Sequence, residues 1–172
     1  MIILIREIYE GSAGDIKIKK INIYCDGACL SNPGPGGYCA ILTYNEAERI
    51  ISGGDSQTTN NRMELLAAIS GLEAIKDNTA KQCEVDLYTD SKYVVDGIEK
   101  GWAKNWRKNN WIKSDKNPAL NSELWERLLK AIERLNDNVK FIWIKGHNGH
   151  EYNERCDEIA SGIALEYKNK EK

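Results

Sequence analysis

Residues 19–27 read Lys19-Lys20-Ile21-Asn22-Ile23-Tyr24-Cys25-Asp26-Gly27, with Ile21, Ile23 and Cys25 alternating against Asn22, Tyr24 and Asp26. A period of two is that of a strand with one face buried, and Asp26-Gly27 punctuates its end. Residues 83–91 repeat the design: Val85, Leu87 and Thr89 alternate with Asp86, Tyr88 and Asp90. Two strands therefore end alike, in Tyr24-Cys25-Asp26 and Tyr88-Thr89-Asp90. If they are parallel neighbours, both aspartates project from one sheet edge on one face, where open α/β sheets place their ligand sites.

Outward from these strands, Ser31-Asn32-Pro33-Gly34-Pro35-Gly36-Gly37 reads as a loop. Residues 38–44 and 48–53 read as two more strands around a turn at Asn45-Glu46. Thr58-Thr59-Asn60-Asn61 supplies capping side chains for a helix over 60–77, with Leu65, Ile69, Leu72 and Ile75 near one face. A short helix over 91–98, a partly helical basic segment over 100–116 and an amphipathic helix over 121–135 follow. Then come a strand over 139–144, a loop at 146–148 and a last helix from about Glu151 that buries Cys156, Ile159, Ala160, Ile163 and Tyr167. The order predicts an α/β fold: a five-stranded mixed sheet, three antiparallel strands plus two parallel, flanked by helices. Residues 1–16, with Gly11-Ser12-Ala13-Gly14-Asp15 as a joint, read as an N-terminal extension of unknown role, and 17–172 as one domain.

The 172 residues are 41% apolar and 29% charged, the composition of one soluble domain without a transmembrane run. The short apolar start lacks the basic region of a signal peptide. Five cysteines, an odd number without a Cys-x-x-Cys pair, argue against a disulfide framework and a structural zinc site, so a reduced, cytoplasmic protein is expected. The net charge is −2, yet residues 100–116 hold Lys100, Lys104, Arg107, Lys108, Lys113 and Lys116 against Asp115 alone. Such segregation attracts phosphate locally. Three of the five tryptophans (Trp102, Trp106 and Trp111) lie in the same segment. Aromatic rings among cations suit a nucleic-acid groove. Trp102 is expected to pack the segment onto the body, and Trp106, Arg107, Lys108 and Lys113 to meet the nucleic acid.

Asp26, Glu64, Asp90 and Asp157 fall at strand ends or early in helices, where they can gather. Adjacent carboxylates repel unless a cation lies between them, and an all-oxygen set points to Mg²⁺ or Mn²⁺. A pair of such ions activates water and stabilises the leaving oxygen of a phosphodiester. Taken singly, each acid is as well explained as a surface charge or a helix cap.

The motifs in series settle the choice. Tyr24-Cys25-Asp26-Gly27, Asn32-Pro33-Gly34-Pro35-Gly36-Gly37, Thr59-Asn60-Asn61-Arg62-Met63-Glu64-Leu65, Thr89-Asp90-Ser91, Lys145-Gly146-His147-Asn148-Gly149-His150 and Asn153-Glu154-Arg155-Cys156-Asp157-Glu158 closely resemble, in order, those of the type 1 ribonuclease H family, bacterial ribonuclease HI in particular. The resemblance spans about residues 19–165. It implies the ribonuclease H-like fold and endonucleolytic hydrolysis of the RNA strand of RNA–DNA hybrids, leaving 5′-phosphate and 3′-hydroxyl ends. It makes Asp26, Glu64, Asp90 and Asp157 the ligands of two Mg²⁺ ions, Mn²⁺ being an alternative. Asp26 bridges both ions, Asp157 serves the water-activating one, and Glu64 and Asp90 serve the ion at the leaving oxygen. His147 becomes the mobile histidine of proton transfer or product release, with His150 structural. Cys29, Asn32, Asn60 and Asn61 become minor-groove contacts, where an enzyme that cuts RNA must sense the 2′-hydroxyl. Thr59 and Asn121 become a DNA-phosphate pocket, and 100–116 the family's basic protrusion. Asn117-Pro118-Ala119-Leu120 lacks the lysines of several relatives, which predicts weaker hybrid affinity. The partner is the hybrid duplex, with no membrane and no obligate protein partner, and a monomer is expected. A DNA-strand nuclease is disfavoured by Asn60-Asn61 and the protrusion, a non-cutting binding module by the full set of four acids, and a small-molecule phosphoesterase by the tryptophan-rich basic segment.

Overall fold

The computed structural model describes residues 18–146 and 149–170, and the expected extension over 1–16 lies outside them. Eleven elements follow in chain order: β1 (Lys19–Cys29), β2 (Gly34–Tyr44), β3 (Ala47–Thr58), α1 (Asn60–Glu73), α2 (Asp77–Ala80), β4 (Cys83–Thr89), α3 (Lys92–Glu99), α4 (Trp102–Lys108), α5 (Ser122–Arg134), β5 (Val139–Trp143) and α6 (Glu151–Lys170). The strands form one sheet in the order β3-β2-β1-β4-β5. β1, β2 and β3 pair antiparallel, while β4 joins β1, and β5 joins β4, in parallel. This is the mixed sheet that the periodicity predicts.

The alternation along β1 divides the molecule into two layers. Ile21, Ile23 and Cys25 enter the main core with Leu65, Ile69 and Leu72 of α1, Val85 and Leu87 of β4, and Trp125, Leu128 and Leu129 of α5. On the other face, Cys39 and Ile41 of β2 meet Cys156 and Ala160 of α6, with Tyr24 and Tyr152 packed alongside. Burial of these apolar side chains is the chief driving force of the fold.

Several boundaries differ from the sequence expectation. β1 does not stop at Asp26-Gly27 but continues to Cys29, and β2 begins at Gly34 inside the expected 31–37 loop. Gly27, Ala28 and Cys29 pair with Tyr38, Gly37 and Gly36, so these glycines serve the ladder rather than a turn. Close approach is what Gly27 allows: a Cβ there would sit 2.4 Å from the Glu64 backbone nitrogen and 2.5 Å from the Met63 carbonyl carbon. That contact holds the end of β1 against the start of α1. β3 runs on to Thr58 instead of ending near 53, and α1 closes at Glu73 before the short α2. The N-cap of α1 is Thr59, whose hydroxyl accepts from the Arg62 backbone N–H at 3.4 Å, and not Asn60 or Asn61. On α6, Asn153, Cys156, Ala160 and Ala164 are buried, while Ile159, Ile163 and Tyr167 are only half-buried. Among the described residues no helix is long and apolar enough to cross a membrane.

Candidate active site

Parallel pairing puts Tyr24 opposite Tyr88, and two residues further on the strand ends carry Asp26 and Asp90. The two aspartates thus occupy matching places on one sheet face. Glu64 enters from the second turn of α1, and Asp157 from the second turn of α6. The four acids come from four elements that only the tertiary fold brings together.

Asp26 is the innermost, 7% exposed. Burial first, and then the negative charge of Asp90, raises its carboxyl from an ordinary 3.8 to about 8, with Asp157 and Glu64 adding to the effect. The only counterweight is the Gly27 N–H, which donates to Asp26 Oδ1 at 2.8 Å. Burial likewise raises the Glu64 carboxyl, with Asp90 adding to it, against hydrogen bonds from Ser91 and Asn60. Asn60 Nδ2 donates to Glu64 Oε1 at 2.7 Å, and the Ser91 hydroxyl donates to Oε2. Ser91 also caps α3. The Trp143 indole donates to the Asp90 carbonyl oxygen at 2.9 Å, and Asp157 Oδ1 accepts from Ser161 Oγ at 3.2 Å. Gly146 borders Asp90 so tightly that a Cβ would lie 2.4 Å from Asp90 Oδ2.

A cluster of carboxylates whose buried member is pushed up by its acidic neighbours is what a hard divalent ion relieves. The donor set, all oxygen, fits Mg²⁺ or Mn²⁺. The acids do not close into a finished cage: among the described residues no three His, Cys, Asp or Glu side chains are grouped as ion ligands. Mg²⁺ does not demand such a cage, since it is usually held by one or two carboxylates together with substrate phosphates and water.

The expected substrate contacts fall into three places. Beside the acids, Asn32 Oδ1 accepts from the Asn60 backbone N–H at 3.1 Å. Cys29 sits under the same loop, its thiol directed to the Ser31 carbonyl at 2.9 Å. Asn61 is exposed at the surface. A second group forms around Arg62, which the sequence reading passed over: its guanidinium donates to Asn121 Oδ1 at 3.2 Å and to Glu123 Oε1 at 2.5 Å, and its backbone reaches Thr59. Asn121 adopts a left-handed conformation and also donates to the Tyr93 hydroxyl at 3.2 Å.

The third place is the basic segment. An open groove of about 750 Å³ runs between Trp102, Trp106, Lys108, Ile112 and Lys113. Both tryptophans border this groove, but their relative burial is the reverse of that expected. Trp102 is 38% exposed, whereas Trp106 packs against the core with its ring 6.0 Å from Trp125 at 74°. Helical spacing puts residues 102 and 106 on one face but does not say which end of that face meets the body. Arg107 is held by Glu133 at 2.5 Å, and Lys113 by Asp115 at 3.1 Å. His147 lies outside the described residues. His150 starts α6 through its backbone carbonyl, which accepts from Glu154 N–H at 2.9 Å.

A mixed sheet with an acid cluster at its parallel strand ends is the frame in which the comparisons with known proteins find this chain. The family model described as RNase H matches residues 18–164. A ribonuclease H of Desulforamulus reducens is 56% identical over 147 residues, covering 86% of this chain and 89% of that protein. One of Proteus mirabilis is 54% identical over 146 residues, covering 85% and 87%. Among solved structures, LC9-RNase H1, described as a type 1 RNase H with the type 2 active-site motif, superposes with a TM-score of 0.75 at 30% identity, over 90% of this chain and 76% of that one. LC11-RNase H1, solved in complex with an RNA/DNA hybrid, gives a TM-score of 0.65 at 25% identity, over 85% and 97%. The chain belongs to the ribonuclease H family, a family of hydrolytic endoribonucleases.

Proposed function

We propose that this protein cuts the RNA strand of RNA–DNA hybrids internally, leaving 5′-phosphate and 3′-hydroxyl ends, as a monomer in the cytoplasm. The observation that carries this reading is the placement of the acids: Asp26 and Asp90 follow the paired Tyr24 and Tyr88 of parallel β1 and β4, and Glu64 and Asp157 enter from the second turns of α1 and α6. Asp26, Glu64, Asp90 and Asp157 would hold two Mg²⁺ ions, with Mn²⁺ as an alternative. When bound there, such ions supply the acidity that turns water into a nucleophile at neutral pH and neutralise the leaving oxygen.

The chain's own groups position and bind. Asn60 and Ser91 orient both oxygens of Glu64, Ser161 orients Asp157, and Trp143 ties down the backbone at Asp90. Cys29, Asn32, Asn60 and Asn61 would line the approach to the acids and meet the minor groove, where 2′-hydroxyls are displayed. Thr59, Asn121 and Arg62 would hold a phosphate of the DNA strand, which fixes register without reading sequence. Trp102, the outer edge of Trp106, Arg107, Lys108 and Lys113 would border the track of the duplex over the basic segment, and His147 would assist proton transfer or product release.

The test uses one labelled duplex with each strand as RNA or DNA, in Mg²⁺ or in EDTA. RNA cleaved only within the hybrid, and only with metal, is the expected result. Cleavage of a DNA strand, or binding without cleavage, would replace this reading by a DNA nuclease or a hybrid-binding module.

A further inference from the structure

Three tyrosines form a column beneath the acids. Tyr24 stacks on Tyr88 with ring centroids 4.9 Å apart and planes 13° from parallel, and on Tyr152 at 4.6 Å and 17°. Each ring belongs to a different element, and each of those elements carries an acid. Tyr24 and Asp26 share the outer face of β1, two residues apart. Tyr88 and Asp90 have the same relation at the end of β4. Tyr152 opens α6, which bears Asp157 on its second turn.

Further contacts fasten the α6 end of the column. The Cys156 thiol donates to the Tyr24 carbonyl oxygen at 3.3 Å, so the residue beside Asp157 is tied to the residue that stacks. The Arg155 guanidinium lies over the Tyr152 ring at 5.4 Å and grips both carboxylate oxygens of Glu48 on β3, at 2.6 and 2.9 Å. A planar guanidinium that binds a carboxylate with two bonds fixes direction as well as distance.

We propose that the Tyr24–Tyr88–Tyr152 column, anchored by Arg155 and Glu48, is a positioning device that holds Asp157 against Asp26 and Asp90 before the ion arrives. This rests on the reading that those acids bind Mg²⁺. The acids repel one another, and that repulsion pushes α6 away from the parallel strand ends. Offset stacking opposes it, because near-parallel aromatic pairs attract beyond the area they bury. A preformed site binds its ion more tightly, since less ordering remains to be done. The tyrosines are therefore positioning residues that act through the acids.

The test measures the rise in thermal unfolding midpoint of the whole protein as Mg²⁺ alone is titrated, with no nucleic acid present. Tyr152→Ala is expected to need roughly five- to tenfold more Mg²⁺ for an equal rise, while Tyr152→Phe, which keeps the ring, follows the unsubstituted protein. Leu135→Ala, in the main core, is the control for reduced stability and should show the same rise at each Mg²⁺ concentration as the unsubstituted protein. Equal Mg²⁺ dependence in Tyr152→Ala and the unsubstituted protein, or an equal shift in Leu135→Ala, would overturn the proposal. An unsubstituted protein that does not respond to Mg²⁺ at all would overturn both the proposal and the metal reading beneath it.

Discussion

Asp26→Asn is expected to abolish RNA cleavage, by about a thousandfold or more, and at the same time to make the metal-free protein more stable. The two outcomes have one cause. Asp26 is buried among Asp90, Asp157 and Glu64, and its carboxyl is raised to about 8. Asparagine keeps the shape and needs neither a charge nor an added proton, so the cost of burying that carboxyl among the other acids is gone. Function and stability are opposed at this residue, as they often are where an active site concentrates like charge. Hybrid binding should survive, because the expected contacts with the duplex lie elsewhere, and a gel-shift titration in EDTA checks this. Loss of hybrid binding together with residual cleavage would count against the metal role.

The pH dependence of the same pair gives the sign. In the unfolded chain Asp26 ionises near 3.8, and in the folded protein near 8. Between those values the folded state keeps a proton that the unfolded state has released, so stability falls as pH rises from about 4 to about 8. The slope from one group is at most about 1.4 kcal/mol per pH unit. In a chain of this size each kcal/mol corresponds to about 2–4 °C in melting temperature. Thermal unfolding in EDTA should therefore give a melting temperature that declines toward pH 8 and a visibly shallower decline in Asp26→Asn. Parallel curves would mean that Asp26 is not under the strain described. Addition of Mg²⁺ should raise the melting temperature of the unsubstituted protein most at the alkaline end, since a ligand of the folded state stabilises it by mass action.

What the sequence made legible was whatever rests on local periodicity. β1 and β4 announced themselves by alternation, and their matching aspartate ends meant that parallel pairing, which the sheet shows, would bring Asp26 and Asp90 to one edge. Glycine and proline misled where they served packing. The stretch 31–37 has the composition of a loop, but Gly36 and Gly37 are ladder residues, and Gly27 is small because α1 passes against it. The hydrogen bonds that orient the acids were out of reach for another reason. Ser91 meets Glu64 across 27 residues of chain, and Trp143 meets the Asp90 carbonyl across 53. No spacing rule connects such pairs. The tyrosine column is of the same kind: each tyrosine sits in a readable element, but their stacking belongs to the sheet register and the docking of α6.

The basic segment shows this limit most sharply, and it carries the second large expectation. Trp106→Ala should destabilise the fold by about 2–4 kcal/mol, as removal of a large packed side chain does, because its ring meets Trp125 edge-on and Trp125 is completely buried. Arg107→Ala would also remove the Glu133 ion pair at 2.5 Å. A fall in activity in such variants would therefore mix folding with binding. Trp102→Ala separates the two. Its ring is 38% exposed and borders the groove with Lys108 and Lys113. Its removal should change stability by less than about 1 kcal/mol. It should raise the Michaelis constant for hybrid about tenfold, the scale of one stacking interaction between a ring and a nucleotide, with turnover nearly unchanged. Melting temperatures and steady-state kinetics of the two single variants decide the matter. If Trp106→Ala keeps its melting temperature while Trp102→Ala loses it, the segment docks by the other tryptophan. If neither alters the Michaelis constant, the groove is not part of the track of the hybrid. The salt dependence of binding gives an independent reading. Lys108→Ala removes one cation that would neutralise a phosphate, so it should lower the slope of log affinity against log salt by about one, whereas truncation of the uncharged Trp102 ring should leave that slope in place.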